Sequence, residues 1–345
     1  MINLFKKIKC FSSKPHDSFI SCQFGYKRLY FFNQKVCYCS NGNSSKNRQL
    51  PVIYNDFNGE LNIDDLAKKI NQVRKKAARG VIPQCCEGCS LVKDVYKNEK
   101  SQRYPKLEYV QFSDYSLCNS KCVYCNSWKS TKIVNGKIPI DLINNDSYNI
   151  KPIIETLISK KMITQNTVVD FAGGEPTVYR FFDESIDLLL QNGVKQIEIF
   201  SNIIKYSDTI AKGISLGVIN LTVSLDAGTK EIHAKVKGVE SFDFVYNNLQ
   251  KYSNLKINDE QITSKYVIVP NVNDIDSEIL IWIKKSISIG VKKLMLNADN
   301  RILEEEINTN IVLKIKYLSS FFTKTCHEFG IKYDLGSNIN FINSI

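Results

Sequence analysis

The sequence predicts an α/β protein: a partial (β/α)6 TIM-like barrel of parallel strands, preceded by a small cysteine-rich N-terminal module. From about residue 107 onward, short runs rich in β-branched and aromatic residues alternate with longer segments of helical periodicity. A parallel neighbour can be reached only through a long crossover, so this alternation is typical of a parallel sheet. Upstream, five of the eleven cysteines fall between residues 37 and 89, which sets that part of the chain apart.

Six short runs with strand composition make up the predicted barrel sheet. They cover residues 107–112, 167–171, 196–200, 220–225, 264–269 and 292–296. The segments with helical periodicity between them are 153–160, 181–191, 207–216, 242–252 and 276–289. Glycine follows three of these helices, as it does where a chain leaves a helix in a left-handed conformation: Gly193, Gly217 and Gly290. In such barrels chemistry takes place at the carboxyl ends of the strands, so we expect functional residues directly after each strand.

Three domains are predicted. Residues 1–106 form the N-terminal cysteine-rich module, 107–300 the barrel, and 301–345 a C-terminal helix and tail that pack on the barrel. Within the first module, aromatic and β-branched residues in 25–38 predict one or two strands, and 60–79 predict an amphipathic helix. The lysines and arginines on the rest of that helix are typical of a solvated face.

Composition excludes several classes of protein. The chain has 345 residues with 43% hydrophobic and 23% charged residues, which is enough apolar material for a core and excludes general disorder. It has no apolar run of about 18 residues, and its N-terminus lacks the apolar core of a secretion signal, so we expect a cytoplasmic protein without membrane contact. The net charge of +11 is spread along the chain, which favours a solvated basic surface over a nucleic-acid interface.

Three cysteines follow the first predicted strand in the pattern Cys-x3-Cys-x2-Cys: Cys118, Cys122 and Cys125. Clustered cysteines in a reducing compartment indicate metal binding rather than disulfides. A cubane iron–sulfur cluster held by three thiolates keeps one iron open for another molecule, which would make this a reaction site. The alternative is a zinc site, which needs a fourth ligand from elsewhere, such as His233 or His327. Buried, unligated thiols are a further alternative.

A second motif, Gly173-Gly174-Glu175-Pro176, follows the next predicted strand. The glycines allow a ligand to approach the bare backbone, and the proline stiffens the turn. The carboxylate of Glu175 is suited to accept hydrogen bonds from an ammonium group. Taken alone, the motif is also typical of an ordinary turn.

The two motifs together resemble the radical S-adenosylmethionine (radical SAM) enzymes over about residues 107–300. The cysteine triad contains an aromatic residue, Tyr124, and the Gly-Gly-Glu-Pro motif follows about fifty positions later. The resemblance implies that Cys118, Cys122 and Cys125 hold a [4Fe-4S] cluster. It implies that the open iron binds S-adenosylmethionine (SAM), which is reductively cleaved to methionine and a 5'-deoxyadenosyl radical that abstracts a hydrogen atom from a substrate.

The resemblance also implies roles for residues at the strand ends. Tyr124 would lie against the adenine, and the motif at 173–176 would receive the methionine ammonium. The remaining cofactor-binding residues implied in this way are Ser201, Asn202, Ser224 and Asp226. For Asp226, a turn or helix cap is an equally good interpretation. At position 237 a lysine stands where the family often has arginine, which argues against bidentate binding of a carboxylate.

The upstream cysteines predict a second metal site. The candidate ligands are Cys37, Cys39, Cys85, Cys86 and Cys89. The segment is similar to the SPASM or twitch extensions that carry auxiliary clusters in many radical SAM enzymes. It differs in position, because those extensions usually follow the barrel. A second iron–sulfur cluster is favoured over zinc.

The sequence therefore predicts an oxygen-sensitive radical SAM enzyme. A peptide or protein side chain is mildly favoured as the substrate, because extra cysteines frequently accompany that class. The alternatives are a dehydrogenase or other modifier of a sugar or small metabolite, and a zinc-stabilised protein that binds nucleic acid. An electron donor such as a flavodoxin or ferredoxin is the expected partner.

Overall fold

The computed structural model describes residues 18–22, 26–32, 35–39, 52–55, 60–77, 79–81, 86, 92–96, 102–113, 117–125, 149–303 and 308–345. Strands within these ranges form two sheets. A small antiparallel sheet pairs β1 (Ser18–Cys22) with β5 (Val92–Tyr96). The other sheet has the order β12-β11-β10-β9-β8-β7-β6-β2-β3-β4 and carries the site described below.

The central strands of the larger sheet are parallel. They are β6 (Tyr109–Phe112), β7 (Val168–Phe171), β8 (Gln196–Ser201), β9 (Ile219–Ser224), β10 (Ile262–Ile268) and β11 (Lys293–Ala298). At one edge β12 (Lys332–Leu335) pairs in parallel with β11. At the other, β2 (Arg28–Phe32) pairs in parallel with β6, and β3 (Lys35–Cys37) and β4 (Val52–Tyr54) follow as antiparallel strands.

Helices connect successive parallel strands, as the crossover argument requires. The helices in the described residues are α1 (Ile63–Ala77), α2 (Lys151–Ser159), α3 (Phe182–Gln191), α4 (Asp208–Ser215), α5 (Lys230–Lys237), α6 (Phe242–Ser253), α7 (Asp276–Ser288), α8 (Thr309–Glu328) and α9 (Ser337–Ser344). Helices α2 to α8 lie in the crossovers between β6 and β12, whereas α1 precedes β5 and α9 follows β12. The glycines predicted to end α3, α4 and α7 all have positive φ. No helix in the described part of the chain is long and apolar enough to cross a membrane.

The predicted fold class is confirmed: a mostly parallel α/β sheet with the helix order of a partial barrel. Each of the six predicted strands and five intervening helices is present, with ends that differ by about two residues from the sequence pattern. Among the described residues from 107 to 335, one helix and one strand were not predicted: α5 and β12. Both are short, and short elements leave little periodicity to detect.

The predicted boundary at residues 106/107 does not interrupt the sheet. Strand β2 lies upstream of the boundary, yet it pairs with β6, and its Leu29 and Phe31 are fully buried in the same core as the barrel. Phe31 stacks on Phe112 of β6 with ring centroids 4.8 Å apart. The domain division remains a prediction, but the described upstream strands share a sheet and a core with the barrel.

The two faces of the sheet differ in polarity. Successive side chains of a strand point to opposite faces. On β7, Phe171 meets Phe182 of the helix layer edge-on, and on β10 the Ser264 hydroxyl accepts a hydrogen bond from Trp282 of α7. The alternate residues, such as Asp170 and Lys265, therefore point to the inner face, away from these helices.

Candidate active site

The predicted functional residues meet at the carboxyl ends of β6 to β10, as expected for a parallel barrel. The segment 117–125, called the cysteine loop below, follows β6 and contains Cys118, Cys122 and Cys125, all partly exposed. The backbone N–H of Glu175, from the turn after β7, donates to the carbonyl of Leu117 at 2.7 Å. This bond joins the two sequence motifs directly.

Asn202, which follows β8, holds the cysteine loop from one side. Its side-chain amide donates to Asn119 Oδ1 at 2.6 Å and to Ser120 Oγ at 3.1 Å. The same nitrogen lies 3.8 Å from Cys118 Sγ. The Cys118 sulfur also receives the backbone N–H of Ser120 at 3.4 Å. Asn202 therefore positions the loop and touches the first cysteine.

Glu175 is the most strongly bonded carboxylate at the site and is only 1% exposed. Its Oε1 accepts bonds from the Thr177 backbone, the Thr177 hydroxyl and the Ser201 hydroxyl, at 2.6 to 3.1 Å. Its Oε2 accepts one bond within the described residues, from the Asn202 backbone at 2.7 Å. Burial raises the pKa of Glu175, although these hydrogen bonds oppose the rise. Oε2 keeps capacity for a further donor.

The remaining motif residues shape the turn around this carboxylate. Gly173 has φ +125°, a conformation that other residues rarely adopt. Gly174 follows it, and Pro176 begins a short 3-10 turn to Val178 that is capped by the side chain of Glu175.

Helix α5 holds the cysteine loop from the other side. The helix begins after Thr229, whose side chain caps it, and ends at Gly238 in a left-handed conformation. The Lys121 backbone N–H donates to the Lys237 carbonyl at 2.7 Å, and the Val123 N–H donates to the Val236 carbonyl at 2.9 Å. The last carbonyls of a helix lack intrahelical partners, so the loop satisfies them.

Gly238 has no room for a side chain, which gives a testable prediction. A Cβ at this position would lie 2.7 Å from the Lys121 carbonyl oxygen and 2.9 Å from its Cβ, in addition to the left-handed strain of about 1–2 kcal/mol. We expect Gly238→Ala to displace the cysteine loop and to lower the iron bound per chain. Gly193→Ala is the matched control, because it has similar backbone strain but meets nothing within 4 Å. Both variants should lower the melting temperature; full iron content in Gly238→Ala would contradict the prediction.

Asp226, which follows β9, lies at the centre of a buried polar cluster. It is fully buried with φ 60°, and its Oδ2 accepts bonds from the Tyr124 hydroxyl at 2.7 Å and from the Lys237 ammonium. Its Oδ1 accepts the Val267 backbone N–H at 2.8 Å. Burial lowers the pKa of Lys237, but the Asp226 carboxylate, with contributions from Cys122 and Cys118, outweighs burial and the pKa is raised. The carboxylate thus ties the cysteine loop to α5 and β10.

Asn273 supports this cluster, and sequence reasoning did not identify it. It is fully buried, and its side-chain amide donates to the carbonyls of Asp226 and Val267, both at 2.8 Å. Its Oδ1 accepts the Val269 N–H at 2.6 Å. The sequence signal was a polar Asn-Asp loop after the fifth predicted strand, which does not distinguish a surface loop from a buried one.

The donor set of the cysteine loop fits an iron–sulfur cubane. Each thiolate of such a cluster binds a different iron, so the sulfurs need not converge on one ion. Among the described residues, no group of three or more His, Cys, Asp or Glu side chains is arranged around a single metal ion. Burial raises the pKa of the Cys118 thiol to about 12, with the Glu175 carboxylate contributing. Metal binding supplies the positive charge that stabilises the thiolate.

The histidines suggested as a fourth zinc ligand have other surroundings. His327 Nε2 lies 3.1 Å from the hydroxyl of Tyr333 on β12. His233 is buried on α5, where its ring meets Phe242 edge-on, and burial lowers its pKa to about 4 with Lys237 contributing. Ser224, the remaining predicted site residue, ends β9 and is partly buried.

The upstream cysteines are described only in part. Cys37 is buried on β3, and Cys39 and Cys86 pack against the small cluster of Tyr26, Tyr38 and Ala77. The Tyr38 hydroxyl lies 3.9 Å from Cys86 Sγ. Two further predicted ligands lie outside the described residues: Cys85 and Cys89. Two cysteines 47 positions apart in the sequence thus pack against one apolar cluster.

Comparison with known proteins gives one family match in the central part of the chain. Residues 113–283 match the family model described as the Radical SAM superfamily. The chain is 24% identical over 202 residues to a GTP 3',8-cyclase of Vibrio cholerae serotype O1, covering 57% of this chain and 56% of that protein. It is 25% identical over 207 residues to a GTP 3',8-cyclase of Clostridium botulinum, covering 58% and 60%. The match therefore spans little more than half of these relatives.

A solved structure extends the similarity of fold. The crystal structure of Streptococcus suis SuiB bound to precursor peptide SuiA superposes with a TM-score of 0.51 at 12% identity. It covers 95% of this chain and 73% of that protein. At this identity, the superposition supports the fold alone.

Proposed function

Because residues 113–283 match the Radical SAM superfamily model, we propose that the protein reductively cleaves S-adenosylmethionine and uses the resulting radical to abstract a hydrogen atom from a substrate. The observation that carries the proposal is the cysteine loop, which is joined by backbone bonds to the Glu175 turn and to α5, with Asn202 against Cys118. The cysteine loop and a buried carboxylate therefore belong to one site.

A [4Fe-4S] cluster held by three cysteines has one iron without a protein ligand, and this iron sets the chemistry of the site. A reduced [4Fe-4S] cluster on Cys118, Cys122 and Cys125 would bind the SAM amino acid moiety at its fourth iron and supply one electron to the sulfonium, giving methionine and a 5'-deoxyadenosyl radical. That electron has to come from a donor such as a flavodoxin or ferredoxin.

The protein's own residues would orient the cofactor. Glu175 Oε2 would accept the methionine ammonium, and the bare backbone at Gly173 and Gly174 would allow that group to approach. Tyr124 would contact the adenine, with its ring orientation set by the bond to Asp226. Ser201, Ser224 and Asn202 line the same strand ends and are proposed as further contacts.

Asp226 has a restricted role within this proposal. Its Oδ2 already accepts bonds from Tyr124 and Lys237, and its Oδ1 accepts the backbone N–H of Val267. A direct contact with a ribose hydroxyl would therefore replace or share one of these bonds. We assign Asp226 chiefly to positioning the tyrosine and the lysine.

For the substrate, we propose a peptide or protein side chain. Curated relatives are named GTP 3',8-cyclases, whereas a structure with a similar fold binds a precursor peptide. Modification of a sugar or small metabolite is the alternative. We further propose an auxiliary iron–sulfur cluster with ligands drawn from Cys37, Cys39, Cys85, Cys86 and Cys89, supported by the packing of Cys39 and Cys86 on one cluster.

Anaerobic reconstitution tests the proposal. We expect the purified protein, loaded with iron and sulfide and reduced with dithionite, to release 5'-deoxyadenosine from SAM, as measured by liquid chromatography and mass spectrometry. About four irons per chain would indicate the barrel cluster alone, and about eight would support the auxiliary cluster. Omission of dithionite is the control. A protein that holds one zinc and releases no 5'-deoxyadenosine would contradict the proposal and favour the zinc alternative.

A further inference from the structure

A row of polar side chains crosses the inner face of the sheet below the proposed cofactor site. The register of the parallel strands places Gln111, Asp170, Glu198 and Asn220 side by side on β6, β7, β8 and β9. Adjacent strands are about 4.8 Å apart, so neighbouring members of the row are within contact. Because this face lies opposite the helices, the row borders the interior of the partial barrel.

Asp170 is the buried member of the row, at 4% exposure. Its Oδ2 accepts bonds from the Tyr109 hydroxyl and, at 3.4 Å, from the Gln111 amide. Its Oδ1 is buried and has no hydrogen-bond partner among the described residues. Buried acceptors are nearly always paired in native proteins, so an orphaned carboxylate oxygen on an inner face indicates a missing donor.

Glu198 adds a second carboxylate to the polar row, next to Asp170. Its Oε1 accepts bonds from the amides of Gln196 and Asn220, both at 2.8 Å, and the residue is partly exposed. Burial raises the pKa of Asp170 to about 7, with repulsion from Glu198 contributing. A cation placed between the two carboxylates would stabilise the charged form of the buried Asp170 and would reduce its repulsion from Glu198.

Asp170 and Glu198 lie a short distance along their strands from the proposed cofactor site. Asp170 precedes Glu175 by five residues on the β7 segment, and Glu198 precedes Ser201 by three on β8. Three residues of strand span about 10 Å. A group bound to the pair would therefore lie in the barrel interior, about 10 Å along the strands from the proposed cofactor site.

Two cations among the described residues of the inner face contact groups other than the carboxylates of Asp170 and Glu198. The Arg28 guanidinium lies 5.2 Å from the ring centroid of Tyr109. Lys265, on β10, is aligned with Ser224 and interacts electrostatically with Asp226. Neither cation is hydrogen-bonded to Asp170.

We propose that Asp170 and Glu198 bind the ammonium or guanidinium group of a lysine or arginine side chain in a peptide substrate. This inference rests on the proposed function, because the bound group is identified as part of the substrate. A polyphosphate such as that of GTP would be repelled by the two carboxylates. The anchor therefore favours a basic peptide over a nucleotide.

A pair of matched peptides tests the anchor. The probes are N-acetyl-Gly-Lys-Gly-amide and its norleucine counterpart, whose side chain has the same four carbons but lacks the ammonium group. Binding to the reconstituted full chain is measured by isothermal titration calorimetry. We expect the lysine peptide to bind about tenfold more tightly, because a hydrogen-bonded charge pair contributes about that factor. Asp170→Asn and Glu198→Gln should each reduce the preference strongly.

Control variants and a third ligand make the test decisive. Glu184→Gln removes an exposed carboxylate that pairs with Lys151 on the helix side, so it should keep the wild-type preference. Glu198→Asp keeps the negative charge and should retain most of the preference for the lysine peptide. Melting temperatures show whether each variant is folded. Equal binding of the two peptides, an unchanged preference in folded Asp170→Asn, or tighter binding of GTP than of the lysine peptide would overturn the anchor.

The outcome can be separated from that of the proposed function. Wild-type protein that releases 5'-deoxyadenosine but binds both peptides equally would overturn the anchor alone. Wild-type protein that prefers the lysine peptide but never releases 5'-deoxyadenosine would support the cation site and overturn the radical chemistry.

Discussion

Replacement of Cys118 by alanine is expected to reduce the release of 5'-deoxyadenosine by the reconstituted protein to background. Three thiolates are the minimum set in the cysteine loop for a cubane with one open iron, and the variant keeps only two. The Cys118 sulfur also lies 3.8 Å from the side-chain amide of Asn202, so the substitution removes this contact. Iron content should fall together with activity.

Cys326→Ala is the matched control for this experiment. Cys326 is a fully buried thiol on α8, and it packs in the main core rather than at the strand ends. Its replacement should lower stability modestly through lost packing while leaving iron content and nucleoside release close to wild type. Nucleoside release that persists in Cys118→Ala would show that the cluster is held elsewhere and that the site assignment is wrong.

The second large effect is expected for Glu175→Gln. The substitution removes the negative charge proposed to accept the methionine ammonium, and it directs an NH2 group at donors from Thr177, Ser201 or Asn202. A hydrogen bond to a charged group contributes about 1.5–3 kcal/mol, so we expect SAM to bind about 10- to 100-fold more weakly. Binding of SAM by the reconstituted protein, measured by equilibrium dialysis, gives this value.

Thr177→Val separates loss of charge from loss of a hydrogen bond. It removes the hydroxyl that donates to Glu175 Oε1 at 2.7 Å but keeps the carboxylate, so the affinity for SAM should change much less. Iron content should remain near wild type in both variants, because neither residue is a proposed cluster ligand. Loss of iron in Glu175→Gln would count against the proposed role of Glu175 as an ammonium acceptor. Unchanged affinity for SAM in this variant would contradict that role.

The strands and helices of the barrel could be predicted from local sequence patterns. Strand and helix periodicities from residue 107 onward predicted the parallel order, and Gly193, Gly217 and Gly290 marked helix ends that have left-handed backbones. Such features depend on residues a few positions apart, which is the range over which composition and periodicity carry information. The spacing of Cys118, Cys122 and Cys125 belongs to the same local class.

The arrangement around the site depended on contacts between distant segments. Asn202 meets Cys118 across 84 positions, and Lys237 joins Tyr124 and Asp226 in one cluster although 113 and 11 positions separate it from them. Strand register decides such neighbours, and a shift of one residue would turn every side chain to the other face. No local pattern reveals this choice.

Local patterns in the chain predicted a cysteine-based site and the alternation of strands and helices, because thiol spacing, turn residues and hydrophobic periods are local properties. The surroundings of this site became visible only in the folded chain: β2 pairs with β6, α5 contacts the cysteine loop, and Asp170 lies beside Glu198 on the inner face. These pairings arise from burial and hydrogen bonding between segments far apart in the sequence, which become neighbours only when the sheet forms.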